Sequence, residues 1–270
     1  MKIAFLTSEY PHPKTGSSGG IGTSIFNLSK GLIDLGHEVS ILIYGQKEDE
    51  IFVDNNITFY RIKNVIFKGF SLFLTQKKIE QLVNQLVIQK KIELIEAADW
   101  TGITSRIKPN CPIVIRLHGS DTYFCYLDKR PVKFINKFYE KKALQQSDAM
   151  LSVSAYTANL TKLLFNINKE FIIIPNSIDI DKFNNDHSVS VDAHTILYFG
   201  TLIRKKGALE LPLIFNEVYN KNHKTKLILI GKDATDIITE NNSTWQLMQT
   251  LFTTSSVASK NNEPFKIIFI

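Results

Sequence analysis

Short apolar runs alternate with amphipathic stretches along most of the chain, and the spacing within each predicts its element. Lys2 to Thr7, with Ile3-Ala4-Phe5-Leu6 as its apolar centre, reads as a buried strand. Gly22 to Leu35 reads as a helix stopped by Gly36, and Glu38 to Tyr44 as a second strand, which completes a βαβ unit. A strand from Ile57 to Ile62, a helix from Gln76 to Lys90, and strands from Ile92 to Glu96 and Pro112 to Leu117 continue the series. Then come a helix from Pro131 to Gln146, a strand from Ala149 to Val153, a helix from Ala155 to Phe165 and a strand from Phe171 to Ile174 closed by Pro175. Such alternation predicts a parallel sheet covered by helices on both faces.

The pattern weakens after Pro175-Asn176-Ser177, because Asp179 to Val191 is polar and lacks strong periodicity. A domain boundary is expected at about residue 185, dividing the chain into 1–185 and 186–270. The second part restarts the alternation with a strand from Thr195 to Phe199, a loop from Gly200 to Gly207, a helix from Ala208 to about Asn220 and a strand from Lys226 to Ile230. One more helix near Trp245 to Leu251 and a last strand from Lys266 to Ile270 are too few for a doubly wound domain, so the second domain reads as partial.

Composition adds bounds. At 270 residues and 44% hydrophobic content the chain can bury a sizeable core. The first apolar run is too short for a signal peptide and no run approaches a membrane span, so a cytoplasmic location is expected, with the inner face of the membrane as an extension of it. Cys111 and Cys125 have no metal-type spacing and read as free thiols. The net charge of +6 lies mostly in the first 185 residues, where Lys129, Lys133, Lys137 and Lys141 recur every four residues with Phe134, Ile135 and Phe138 between them. Two readings of this basic amphipathic stripe stay open: a solvated helix face, the commoner one, and a peripheral contact with an anionic membrane. No nucleic-acid motif accompanies it, and nucleic acid is not expected as a partner.

The chemistry converges on two glycine-bearing loops. Gly19, Gly20 and Gly22 lie between the first strand and the first helix, where bare backbone and unpaired helical N–H groups suit an anion; a flexible surface turn is the plainer alternative. The loop is not the dinucleotide fingerprint, since no third glycine follows Gly22 at the required place, and no Gly-Lys-Ser/Thr triplet marks a P-loop. In the second loop Arg204 and Lys206 stand between a strand end and a helix start, flanked by Gly200 and Gly207. Side-chain charge and helix dipole would there act together on a phosphate.

The order of these motifs resembles the family 4 glycosyltransferases, which are retaining enzymes of the GT-B architecture. Carrying the resemblance are Gly19-Gly20-Ile21-Gly22, Leu35-Gly36-His37-Glu38-Val39, Arg116-Leu117-His118-Gly119-Ser120-Asp121, Ile174-Pro175-Asn176-Ser177-Ile178-Asp179 and Phe199-Gly200-Thr201 through Gly207. It implies an α/β, GT-B-like fold: a Rossmann-like, acceptor-side domain over 1–185 and a partial, nucleotide-sugar-binding domain over 186–270. It further implies transfer of a sugar, with retention of configuration, from a nucleoside-diphosphate sugar held between the domains to a glycan or lipid-linked acceptor. His118 is then the catalytic candidate, able to hydrogen-bond the sugar or the acceptor hydroxyl, with a structural histidine as the alternative. Gly20, Gly22, Asn176, Gly200, Thr201, Arg204 and Lys206 are the substrate-binding candidates. No cofactor is expected beyond the donor. No metal is expected either, and Lys and Arg would supply the counter-charge.

Glu9 and Asp121 are weaker candidates, as loop carboxylates usually face water. Asp99-Trp100 lines the acceptor cleft, or Trp100 merely closes the core. Two departures from the family pattern stand out. Thr201 occupies the place of the usual phosphate-binding arginine, and the chain ends at Ile270 before any Glu-x7-Glu segment. The readings therefore include a glycosyltransferase presented as a fragment, inactive as given, and a non-catalytic remnant that binds an acceptor or partner. An epimerase on a dehydrogenase-like fold is disfavoured by the missing dinucleotide fingerprint.

Overall fold

The computed structural model describes residues 1–16, 18–183, 190–253 and 265–268. The chain divides into two compact units, Met1–Asn184 and Asn185–Ile270.

In the first unit β1 (Lys2–Thr7) is followed by α1 (Gly20–Asp34), β2 (Glu38–Gln46), β3 (Glu50–Asp54), β4 (Ile57–Lys63), α2 (Ser71–Ile88), β5 (Leu94–Ala98) and β6 (Ile113–Leu117). The unit continues through α3 (Asp121–Leu127), α4 (Phe134–Gln146), β7 (Ala149–Ser152), α5 (Ala155–Phe165) and β8 (Ile172–Ile173). Its eight strands lie in the order β3-β4-β2-β1-β5-β6-β7-β8. All neighbours pair in parallel except β3, which runs antiparallel to β4. Strand β1 sits near the middle, pairing with β2 from Lys2↔Glu38 and with β5 from Ile3↔Leu94.

Strand alternation divides the core between the two faces of the sheet. Ala4 and Leu6 point to one side, where they join Ile79, Val83 and Leu86 of α2 and Ile95 and Ile115 of the sheet. Phe5 points to the other, against Ile25 of α1 and Ile41, Ile43 and Phe59. Burying each such side chain fully contributes about 1.5–3 kcal/mol, which makes the two-sided covering the main source of the unit's stability.

Helix ends follow local chemistry. Ser120 opens α3 by accepting from the Tyr123 N–H at 3.1 Å, and Ser154 opens α5 by accepting from Thr157 N at 3.1 Å. Helix α4 starts at Phe134 instead of the expected Pro131, because Lys133 is still extended at ψ 124°. The aromatic residues of α4 also face the other way from a simple amphipathic helix: its buried positions are Glu140, Ala143 and Leu144, while Phe134, Ile135 and Phe138 are exposed.

The second unit contains β9 (Thr195–Phe199), α6 (Glu210–Lys221), β10 (Lys226–Ile230), α7 (Thr244–Leu251) and β11 (Phe265–Ile268). Its strands are parallel in the order β11-β10-β9. Leu202, Phe215, Leu227, Leu229 and Met248 form its core. Phe269 and Ile270, which the last expected strand included, lie outside the described residues.

Candidate functional site

From β1 the chain moves to β2 and β4 on one side of the sheet, then crosses back to β5 and β6 on the other. The carboxyl ends of β1 and β5 therefore flank a topological switch point, where loops leave in opposite directions and open α/β sheets bind ligands. A cavity of about 510 Å³ lies there. Ser8 and Glu9 reach it from the end of β1, Trp100 from the end of β5, His118 and Gly119 from the end of β6, and Val153 from the end of β7. Gly20 and Ile21 of α1, Phe124 of α3 and Asn176 complete the wall. A second cavity of about 490 Å³, beside Cys111 and Asp148, opens at the amino ends of the strands, where Asp148 is occupied in accepting from the Ile113 N–H at 2.7 Å.

The glycine loop differs from its sequence reading. Gly20 and Gly22 are not loop residues but the first turn of α1, and the Gly22 N–H is already taken by the Glu9 carboxylate at 2.8 Å. Glu9 thus lies at the helix N-terminus, where its charge is favoured by the dipole, and does not simply face water. Gly22 is required by close approach: a Cβ there would stand 3.0 Å from both the Glu9 carbonyl oxygen and the Tyr10 Cα. Ser17, part of the same loop, lies outside the described residues.

His118 is held from beneath. Its backbone N–H donates to Asp99 Oδ1 at 2.9 Å, and Asp99 is buried. Burial, reinforced by the Arg116 charge, pushes the His118 pKa down to about 4, so the ring is neutral near pH 7. Burial, with the nearby Glu140 charge, pushes Asp99 up to about 7 against the backbone donors that oppose it. Glu140 of α4 is fully buried and fixes the next residues, accepting from Asp121 N at 2.8 Å, Thr122 N at 3.2 Å and Thr122 Oγ1 at 2.5 Å. Its own pKa is raised by burial. Asp121 is turned toward Asn136 and Arg130, at 2.9 Å and 3.3 Å.

The Asp99 shift has a testable sign. A carboxyl whose folded pKa lies above the ordinary 3.8 keeps its proton in the folded chain while the unfolded chain loses it. Stability from this group is therefore whole below about pH 4 and is lost as pH rises to about 7. Asp99→Asn is expected to flatten that part of the stability-pH profile, measured by urea unfolding across the range. A profile identical to that of the unsubstituted chain would show that Asp99 titrates normally.

Asn176 is fixed to α1. Ser24 Oγ donates to Asn176 Oδ1 at 2.9 Å, Asn27 Nδ2 to the Ser177 carbonyl at 3.2 Å, and Lys30 pairs with Asp179 at 2.9 Å. The three α1 residues are three apart, so one helix face holds the whole Asn176–Asp179 segment.

In the second unit Gly200 and Thr201 follow β9, and Arg204–Lys206 form a single 3-10 turn. The turn does not aim Arg204 at a ligand. Its Nε and Nη2 donate to the two carboxylate oxygens of Asp236 at 2.9 Å and 2.8 Å, which holds that acid far below the usual carboxylate range. Lys206 is exposed, and its Nζ stands 3.6 Å from where a Cβ on Gly200 would be. The Thr201 carbonyl accepts from Tyr198 Oη at 3.1 Å. Among the described residues no group of three or more His, Cys, Asp or Glu could hold a metal ion.

Of the wall, Glu9 was only a weaker candidate in the sequence, Trp100 stood between cleft and core, and Phe124 was not singled out. For Glu9 a signal existed, since a carboxylate before a helix lacking a capping side chain is a candidate cap.

Comparison with known proteins places these features in a family. The Glycosyltransferase Family 4 profile matches residues 18–182. The chain is 26% identical over 254 residues to an uncharacterised glycosyltransferase of Methanocaldococcus jannaschii, covering 86% of this chain and 63% of that protein. It is 25% identical over 240 residues to the phosphatidylinositol N-acetylglucosaminyltransferase gpi3 subunit of Schizosaccharomyces pombe, covering 82% of this chain and 49% of that one. The chain thus spans about half to just under two thirds of these relatives' length. Among solved structures, HepE of Anabaena in complex with UDP and glucose matches with a TM-score of 0.63 at 16% identity, over 100% of this chain and 69% of that one. The α/β, GT-B-like fold class expected from the sequence is the one shared.

Proposed function

The chain belongs to glycosyltransferase family 4, and from that premise we propose that it serves an enzyme moving a sugar from a nucleoside-diphosphate sugar to a lipid-linked acceptor with retention of configuration. The carrying observation is the convergence of His118, Glu9, Trp100 and Asn176 on one cavity at the switch point of the first sheet. A sugar needs such a wall, with an aromatic face for its ring carbons and fixed hydrogen-bonding groups for its hydroxyls. His118, neutral above about pH 4, presents one donor and one acceptor nitrogen and hydrogen-bonds a hydroxyl of the sugar or the acceptor. Glu9 and Asn176 orient the acceptor end.

On the donor side, cleavage of the sugar–phosphate bond leaves negative charge on the departing diphosphate, and Lys206 supplies the fixed positive charge that this charge development requires. Gly200 and Thr201 admit the phosphates closely, while Arg204, committed to Asp236, holds the turn that carries Lys206. A lipid acceptor is supported by the relative from S. pombe, whose name specifies phosphatidylinositol. No described helix is long and apolar enough to cross a membrane, and we place the work at the inner membrane face through peripheral contact.

The test supplies the protein with labelled UDP- and GDP-sugars and a membrane lipid extract, and follows label into the organic phase. Transfer with the product anomer matching the donor supports the reading; no transfer and no nucleotide binding would overturn it. With Lys206 as counter-charge, EDTA is expected to leave the rate nearly unchanged, and strict dependence on an added divalent ion would refute that arrangement.

A further inference from the structure

Two groups of exposed apolar side chains lie outside all three cores. The connection from β4 to α2 carries Ile66, which is 87% exposed, together with Phe67 and Phe70, whose rings are 6.2 Å apart. Helix α4 carries Phe134, which is 81% exposed, and Ile135 and Phe138. Arg106 joins the two: its guanidinium lies 5.6 Å from the ring centre of Phe73 in α2 and 5.2 Å from that of Tyr139 in α4. Arg106 thus bridges the first turn of α2, which follows the exposed Phe67 and Phe70, to Tyr139, the neighbour in sequence of the exposed Phe138.

The two segments themselves carry only basic charge, with Asp121 and Asp128 beside them paired to Arg130. Residues 64–78 and 129–139 contain no acidic residue, and Lys68, Lys129 and Lys133 are exposed there. Asp128, at the margin, is paired with Arg130 at 3.3 Å. Helix α3 connects the surface to the cavity, since Phe124 lines the cavity while Tyr126 and Leu127, two and three residues on, are exposed.

The geometry points to this composite surface, made by the β4–α2 connection and α4 together, as the face that docks on an anionic lipid bilayer. Aromatic rings settle at the headgroup level, aliphatic side chains gain only from hydrocarbon, and lysines around them meet lipid phosphates. Ile66, Leu127 and Ile135 favour lipid over a nucleic acid, because they neither stack on bases nor hydrogen-bond to them. The inference rests on the lipid-acceptor reading for its purpose: the surface would hold the cavity beside the headgroup of an acceptor whose tail stays in the membrane.

The experiment is co-sedimentation of the 270-residue chain with vesicles of phosphatidylcholine, alone or mixed with phosphatidylglycerol, without any sugar donor. Binding is expected only to the mixed vesicles and is expected to fall with added salt. Phe67→Ser with Phe134→Ser, one aromatic from each segment, and Lys133→Glu with Lys137→Glu should each lower the bound fraction about tenfold or more. Circular dichroism and melting confirm that the variants fold, and single substitutions in each segment show whether both take part. Equal binding to neutral and anionic vesicles, unchanged binding of the folded variants, or a dimer dissolved by the same substitutions would overturn the proposal. Because no donor is present, vesicle binding without sugar transfer sinks only the enzymatic reading. Transfer to lipid without vesicle binding sinks only this one.

Discussion

Lys206→Ala is expected to lower sugar transfer by two orders of magnitude or more while leaving the melting temperature of the chain where it was. An oxyanion-stabilising contact is worth ~3 kcal/mol or more, and in the proposed reaction the breaking bond would leave its charge on a diphosphate. Lys206 is exposed in its turn and its ammonium stands over Gly200, so its removal opens no cavity and breaks no core contact. Arg204 is poorly placed to compensate, because its fork is spent on Asp236. Steady-state rates with saturating and limiting donor separate lost binding from lost stabilisation of the leaving group. Unchanged turnover would show that the counter-charge comes from elsewhere.

Glu96→Ala is expected to destabilise the first unit by about 3–5 kcal/mol, measured by urea unfolding. Glu96 and Arg116 are nearly buried side by side on β5 and β6, with Nε to Oε1 at 2.6 Å and Nη2 to Oε2 at 3.3 Å. Truncating the acid strands a guanidinium in the sheet, where water cannot reach it, and that uncompensated charge accounts for most of the loss. Replacing both partners with apolar residues of similar volume should cost far less, since the pair's own desolvation penalty is then also removed. A loss below 1 kcal/mol from Glu96→Ala alone would mean that water enters the site. The pair also bears on the cavity, because the Arg116 charge helps hold His118 neutral.

Elements with an unbroken apolar centre were legible in the sequence to the residue. Strands β1, β9 and β10 and helix α5 begin and end where the pattern places them, although Leu197 and Phe199 of β9 are exposed. Strand β3 was missed because it is a half-exposed edge of only five residues. Its signal lay in the following Asn55-Asn56, both at positive φ, a two-residue hairpin turn. Helix α3 was hidden by its length, although Ser120 announces it.

Within the site, His118 and Asn176 were legible from motif order, and the structure puts both on one cavity. The buried carboxylates beneath were not, for a physical reason. Glu140 sits in a lysine-rich helix whose period of four suggests a solvated face, and only tertiary packing shows that the acid points inward to hold the start of α3. Asp99, which the sequence offers only as a candidate lining of the acceptor cleft, supports the His118 backbone.

The clasp between α1 and the Asn176–Asp179 segment has a consequence for synthesis on the ribosome. Its hydrogen bonds and ion pair join residues about 150 positions apart in sequence, with Lys30 and Asp179 separated by 149. Helix α1 emerges early, yet Asn176, Ser177 and Asp179, the partners of its Ser24, Asn27 and Lys30, are translated only when nearly the whole first unit has been made. Strand β1 likewise waits for β5, 91 residues on at the Ile3↔Leu94 pair. The first βαβ unit can form early, since β1 pairs with β2 from Lys2↔Glu38, but the clasp on α1 closes only once Asp179 has been made, and the loop-closure entropy of that contact is recovered near the end of the first unit.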